Sequence, residues 1–185
     1  IAALLPSVYY VNDWSIGWIT MGQAVNGDVT DLLALLDEFD GRSPGGYDHE
    51  IEAFNAITCA DTAVPTDIAS YDRAAAQSQA RDPEFGDAAV YGTLPCAYWH
   101  VRGPAPAVHS VSGTPPIVLV GATHDPATPY AWSVAMQKQI AGSVLLTRDG
   151  YGHTSYENSG CIRARVDPYL TDLTVPPAGL TCTTD

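Results

Sequence analysis

The chain has 185 residues, 46% of them hydrophobic, enough for one domain with a packed core. Its formal net charge of −13 argues against nucleic acid and against anionic membrane surfaces as partners. No apolar run approaches the roughly 20 residues that a membrane-spanning helix requires.

The first residue is Ile, and residues 1–6 are apolar without the basic start of a signal peptide. The chain therefore reads as a processed or trimmed piece. In residues 13–26, Trp14, Trp18, Met21 and Val25 recur at helical spacing and predict an amphipathic helix, stopped at Asn26-Gly27-Asp28. Residues 30–39 carry Leu32, Leu33, Leu35, Leu36 and Phe39 and predict a strongly apolar helix. Residues 40–46 form a loop. Residues 47–59 return to helix, with Ile51, Phe54, Ala56 and Ile57 on the buried side. Residues 66–81 predict another helix, capped at Thr66 or Asp67. Residues 93–99 are irregular, and residues 102–116 form a proline-rich, extended connection. Trp14, Trp18, Tyr98 and Trp99 are expected in the core rather than in a substrate pocket.

The character of the chain changes at Ile117. Ile117-Val118-Leu119-Val120 is a short apolar run rich in β-branched residues, which predicts a strand buried on both faces of a mostly parallel sheet. Asp125 follows in a turn, where open α/β sheets carry their ligands and catalytic groups. Residues 129–140 predict a helix with Thr128 as N-cap and Pro129 in its first turn. A second buried strand over 143–147 runs into Gly150-Tyr151-Gly152-His153-Thr154, and a helix over 160–173 follows. Two βα units thus deliver an Asp and a His from neighbouring strand ends, 28 residues apart. An Asp that orients a His, which then acts as base, is two-thirds of a Ser-His-Asp apparatus. In α/β-hydrolases the chain order is Ser, Asp, His, and the order here fits the tail of that list.

The four cysteines are Cys59, Cys96, Cys161 and Cys182. Their spacing matches no zinc pattern, so neither a metal nor a cofactor is expected. Two disulfides in an exported, extracellular protein are the better reading, and nearest-neighbour pairing is the simplest of the three connectivities.

Pro116-Ile117-Val118-Leu119-Val120-Gly121, Asp125-Pro126-Ala127-Thr128-Pro129 and Asp149-Gly150-Tyr151-Gly152-His153 together resemble the C-terminal part of secreted tripeptidyl aminopeptidases. These are α/β-hydrolase serine peptidases of the prolyl-aminopeptidase-like group. Gly160-Cys161-Ile162-Arg163, the segment 173–179 and the stretch 53–61 extend the similarity over most of the chain. The resemblance implies a helical cap or lid portion over 1–100, the connection over 101–116, and the last two parallel strands of an α/β-hydrolase core over 117–185. It implies Asp125 and His153 as catalytic residues and peptides as substrates, with release of short peptides, typically tripeptides, from free N-termini.

One departure matters. The family's nucleophile sits in a G-x-S-x-G elbow between an apolar strand and a helix. The one pentapeptide of that form in these 185 residues, Gly41-Arg42-Ser43-Pro44-Gly45, falls in the loop over 40–46 after a helix, with no strand before it, and so is not such an elbow. The expectation is a C-terminal fragment whose partner is the N-terminal fragment of the same precursor, inactive without it. Two alternatives remain: a secreted esterase or lipase of the same fold, and a non-catalytic binding module. Asp48, Glu50 or Glu52 is a candidate for the substrate's ammonium group, and Thr128 for the lining of the site. His124 is expected to be structural, and His49, His100 and His109 show no ligand spacing.

Overall fold

The computed structural model describes residues 5–101 and 109–183. In chain order they form α1 (Leu5–Tyr9), a short 3₁₀ turn (Val11–Asp13), α2 (Trp14–Val25), α3 (Thr30–Phe39) and the two-residue strands β1 (Arg42–Ser43) and β2 (Gly46–Tyr47). Then come α4 (Glu50–Asp61), α5 (Ile68–Gln79), α6 (Gly86–Tyr91), α7 (Leu94–Ala97), β3 (Val118–His124), α8 (Tyr130–Gln139), β4 (Val144–Tyr151), α9 (Gly160–Asp172) and β5 (Thr181–Thr183). Among the described residues, no helix is long and apolar enough to cross a membrane. The expected connection over 102–116 lies partly outside the described residues. At its far end Val111 forms a parallel bridge to Ile140 after α8.

The chain divides into two compact units, one over 30–101 and the other over 5–29 and 109–183. Helices α1 and α2 therefore group with the sheet, whereas the sequence reading puts 1–100 together.

In the helical unit, a disulfide joins Cys59 of α4 to Cys96 of α7. Both cysteines are buried, as are Tyr71, Ala75 and Ala97. The bridge decides which face of α4 turns inward: Cys59 is 2% exposed, whereas Ile51, Phe54 and Ile57, expected on the buried side, are exposed. Helix α4 also starts later than expected, because Tyr47 pairs with Arg42 in a small hairpin and the Asp48 carboxylate accepts the Glu50 N–H. Asp67 caps α5 by accepting from the Ser70 N–H. Helix α7 occupies part of the stretch over 93–99 that reads as irregular, and α6 lies just before it in residues given no assignment; with fewer than two turns each, they carry no periodic signal.

The other unit is built on a parallel sheet in the order β3-β4-β5. Strand β4 is central and buries Val144, Leu145 and Leu146. Val144 and Leu146 point to one face, where they meet Ile162 of α9 and Cys182 of β5. On the other face Tyr130 of α8 hydrogen-bonds Thr147 at 2.7 Å. Helices on both faces of a parallel sheet make this an α/β layer structure.

Four expectations need correction here. The sheet has a third strand, β5, which is only three residues long and rich in Thr and so gives no apolar run. Strand β3 lies at one edge of the described sheet, so Ile117 to Val120 are only half-buried, although Val118 and Val120 pack on the α9 side and Gly121 lies against α8 on the other. Helix α2 forms where expected but turns Gly17 and Thr20 inward. The absence of a side chain at Gly17 lets Ser7 of α1 approach closely, which leaves Trp14 and Trp18 exposed. Tyr98, also expected in the core, is exposed.

Candidate active site

Strands β3 and β4 run in register from Val118↔Val144 to Ala122↔Arg148, then shift so that His124 pairs with Tyr151. One extra residue on β4 makes a bulge, a device that re-aims side chains at strand ends. Thr123 fills the gap: its hydroxyl donates to Asp149 at 2.8 Å and accepts the Gly150 N–H at 3.2 Å. The two strand ends are thereby tied together just before the two candidate residues.

Asp125 sits in the turn after β3 with its side chain 5% exposed. Its Oδ1 accepts the N–H groups of Ala127 at 2.9 Å and Thr128 at 2.8 Å, and its Oδ2 accepts the Thr128 hydroxyl at 2.7 Å. This is an Asx-type turn in which the side chain does the backbone's hydrogen bonding. Thr128 was expected to cap α8; that position is held by Pro129, and the Thr128 hydroxyl turns to Asp125. Nδ1 of His153 lies 3.0 Å from Oδ1 and 3.1 Å from Oδ2.

Burial by itself raises the Asp125 carboxyl. The Thr128 N–H and hydroxyl, His153 and the Ala127 N–H outweigh it and hold the group below its ordinary range. Asp125 is therefore ionised at neutral pH, and a carboxylate can only accept. That fixes the proton of a neutral His153 on Nδ1 and leaves the lone pair on Nε2, which has no hydrogen-bond partner among the described residues.

Because the carboxyl is lowered on folding, the unfolded chain binds its proton more tightly. Its contribution to stability is present above the unfolded value of about 3.9 and is lost as pH falls through the folded one. Urea unfolding below about pH 4 is expected to show a shallower loss of stability on acidification in Asp125→Asn than in the parent chain. Parallel curves would mean that Asp125 is not lowered.

The histidine loop is held from several directions. The His153 N–H donates to the Tyr9 carbonyl at 2.8 Å, and the Tyr9 ring meets the imidazole edge-on with centroids 5.1 Å apart. Gly152 has φ +94°, and a Cβ there would come within 2.9 Å of Val11 and 3.3 Å of the Tyr9 carbonyl. Only glycine fits at this close approach. Thr154 adopts φ +62°, unusual for a β-branched residue. Its carbonyl accepts from Asn158 and Arg148, and Asn158 also donates to the His153 carbonyl at 3.0 Å.

His124 does not join the pair; it stacks on Tyr151 at 4.3 Å, and Trp14 meets Tyr151 edge-on. Asp48 and Glu50 lie in the helical unit, where Asp48 accepts the first N–H of α4; Glu52 stands 3.7 Å from His49. Sequence reasoning missed Tyr9, Arg148 and Asn158. The Tyr9 contact spans most of the chain and leaves no local signature, whereas the Thr128 contact with Asp125 follows a turn spacing that could have been read.

The profile of a family described as "TAP-like protein" matches residues 82–182. Serine protease Hip1 of Mycobacterium tuberculosis is 37% identical over 98% of this chain and 36% of its own length. Carboxylesterase B of the same organism is 36% identical over 88% of the chain and 32% of its own. The tripeptidyl aminopeptidase of Streptomyces lividans is 30% identical over 94% of the chain and 33% of its own. The chain spans about a third of the length of the curated relatives it matches.

Proposed function

The chain belongs to the TAP-like family of α/β-hydrolases, which are serine hydrolases, and from that premise we propose that it is the C-terminal portion of a secreted serine exopeptidase. In this reading Asp125 and His153 are two members of a Ser-Asp-His triad, and the serine is contributed by an N-terminal segment of the same precursor. The observation that carries it is the contact of Nδ1 with both carboxylate oxygens, at the ends of adjacent parallel strands. His153 Nε2 takes the proton of the serine hydroxyl as it attacks the acyl carbon, then returns a proton to the departing amine. Asp125 keeps the imidazole in the accepting tautomer and stabilises the imidazolium. Release of tripeptides from free N-termini also requires a negative group for the substrate's ammonium, for which Asp48 and Glu50 are the proposed candidates. The helices over 30–101 are the proposed cap. The disulfides Cys59–Cys96 and Cys161–Cys182, the latter joining α9 to β5, accord with an oxidising, extracellular setting.

A second reading, a secreted esterase, draws support from the relative named carboxylesterase B. One assay separates them. The precursor is expected to hydrolyse a tripeptide anilide with a free N-terminus and to lose that activity when the N-terminus is acylated, while this chain alone turns over nothing. Equal rates on blocked peptides, with faster cleavage of aryl esters, would favour the esterase. Turnover by this chain alone would show that the nucleophile lies within it.

A further inference from the structure

Thr128 stands three residues beyond Asp125 and touches both members of the pair. Its hydroxyl donates to Asp125 Oδ2 at 2.7 Å and lies 3.5 Å from His153 Nδ1, the outer limit of a hydrogen bond. Its N–H and that of Ala127 both bind Oδ1. A carboxylate rotates about its last torsion with only a broad, two-fold preference, so fixing its plane takes a contact at each oxygen. Besides His153 itself, the Thr128 hydroxyl is the one donor to Oδ2 among the described residues. Threonine is suited to this because branching at Cβ stiffens its χ1 and so aims the hydroxyl.

We propose that Thr128 is a positioning residue: its hydroxyl sets the rotation of the Asp125 carboxylate and, through it, the orientation of His153. The bearing of this on turnover rests on the catalytic reading of the pair; its structural content does not.

The test has two parts. In this chain, NMR follows the Asp125 carboxyl carbon through an acid titration and the low-field Nδ1–H proton of His153. Thr128→Val and Thr128→Ala are expected to move the Asp125 midpoint upward and to broaden the Nδ1–H signal by exchange. Thr128→Ser, which returns the hydroxyl, recovers both. In the precursor, losing a hydrogen bond to a charged group lowers kcat about tenfold or more at a KM changed less than about twofold, and Ser recovers most of it. The proposal fails if Val and Ala leave both NMR signals in place, if Ser behaves like Val, or if KM rises at unchanged kcat, which would make Thr128 a substrate contact. If the NMR signals respond as expected while His153→Ala retains turnover, the catalytic reading falls and the positioning of the pair stands.

Discussion

Replacing His153 with alanine in the precursor is expected to lower kcat by about 10⁴-fold or more with KM little changed, because the group that accepts the serine proton is gone. Asp125→Asn is expected to cost nearly as much, for a reason visible in the hydrogen bonds. Oδ1 receives two backbone N–H groups, from Ala127 and Thr128, so an asparagine would keep its carbonyl oxygen there. Its amide nitrogen would then occupy the place of Oδ2, facing the Thr128 hydroxyl, which can turn to accept, and His153 Nδ1. An N–H donated to Nδ1 forces the imidazole proton onto Nε2, where it blocks uptake of the serine proton. The variant stays folded with its histidine in the wrong tautomer. Steady-state kinetics on a peptide anilide measures both losses. Either variant with near-normal kcat would remove its residue from the mechanism.

What the sequence disclosed, and what it hid, follows from how far each signal travels. The β3–α8–β4–α9 order was legible because apolar runs and helical spacings are local, and both candidate residues sit where such runs stop. The third strand was not, since Thr181-Cys182-Thr183 joins the sheet through backbone pairing to β4 rather than through an apolar run. The direction in which α2 and α4 face was also misread. Apolar spacing names a stripe but not its partner, and here Gly17 and Cys59 determined the inward side through contacts with Ser7 and Cys96. The same holds at the site. Asp125 and His153 stood out by their setting, whereas the Tyr9 carbonyl that holds the histidine loop belongs to a residue 144 positions earlier.

The Cys161–Cys182 bridge is expected to matter more to the site than the Cys59–Cys96 bridge, though both close loops of similar length, with sequence separations of 21 and 37. By the loop-entropy argument each contributes about 3–4 kcal/mol, so either double Cys→Ala variant should unfold at distinctly lower urea concentration. Their positions separate them. Cys161 lies in the first turn of α9 and Cys182 in β5, so this bridge fastens the helix start to the sheet over the buried Ile162. Just before that turn, Ser159 caps α9 by accepting the Ile162 N–H, and Asn158 donates to the carbonyls of His153 and Thr154. Loosening the turn frees Asn158, and with it the backbone that holds the imidazole. Amide exchange at residues 152–158 should therefore quicken in the Cys161→Ala/Cys182→Ala chain under conditions where it remains folded. The Cys59→Ala/Cys96→Ala chain, whose bridge lies among α4 and α7, should keep protection in that loop. Equal protection in the two variants would mean that the loop is held by Tyr9 and Arg148 without help from α9.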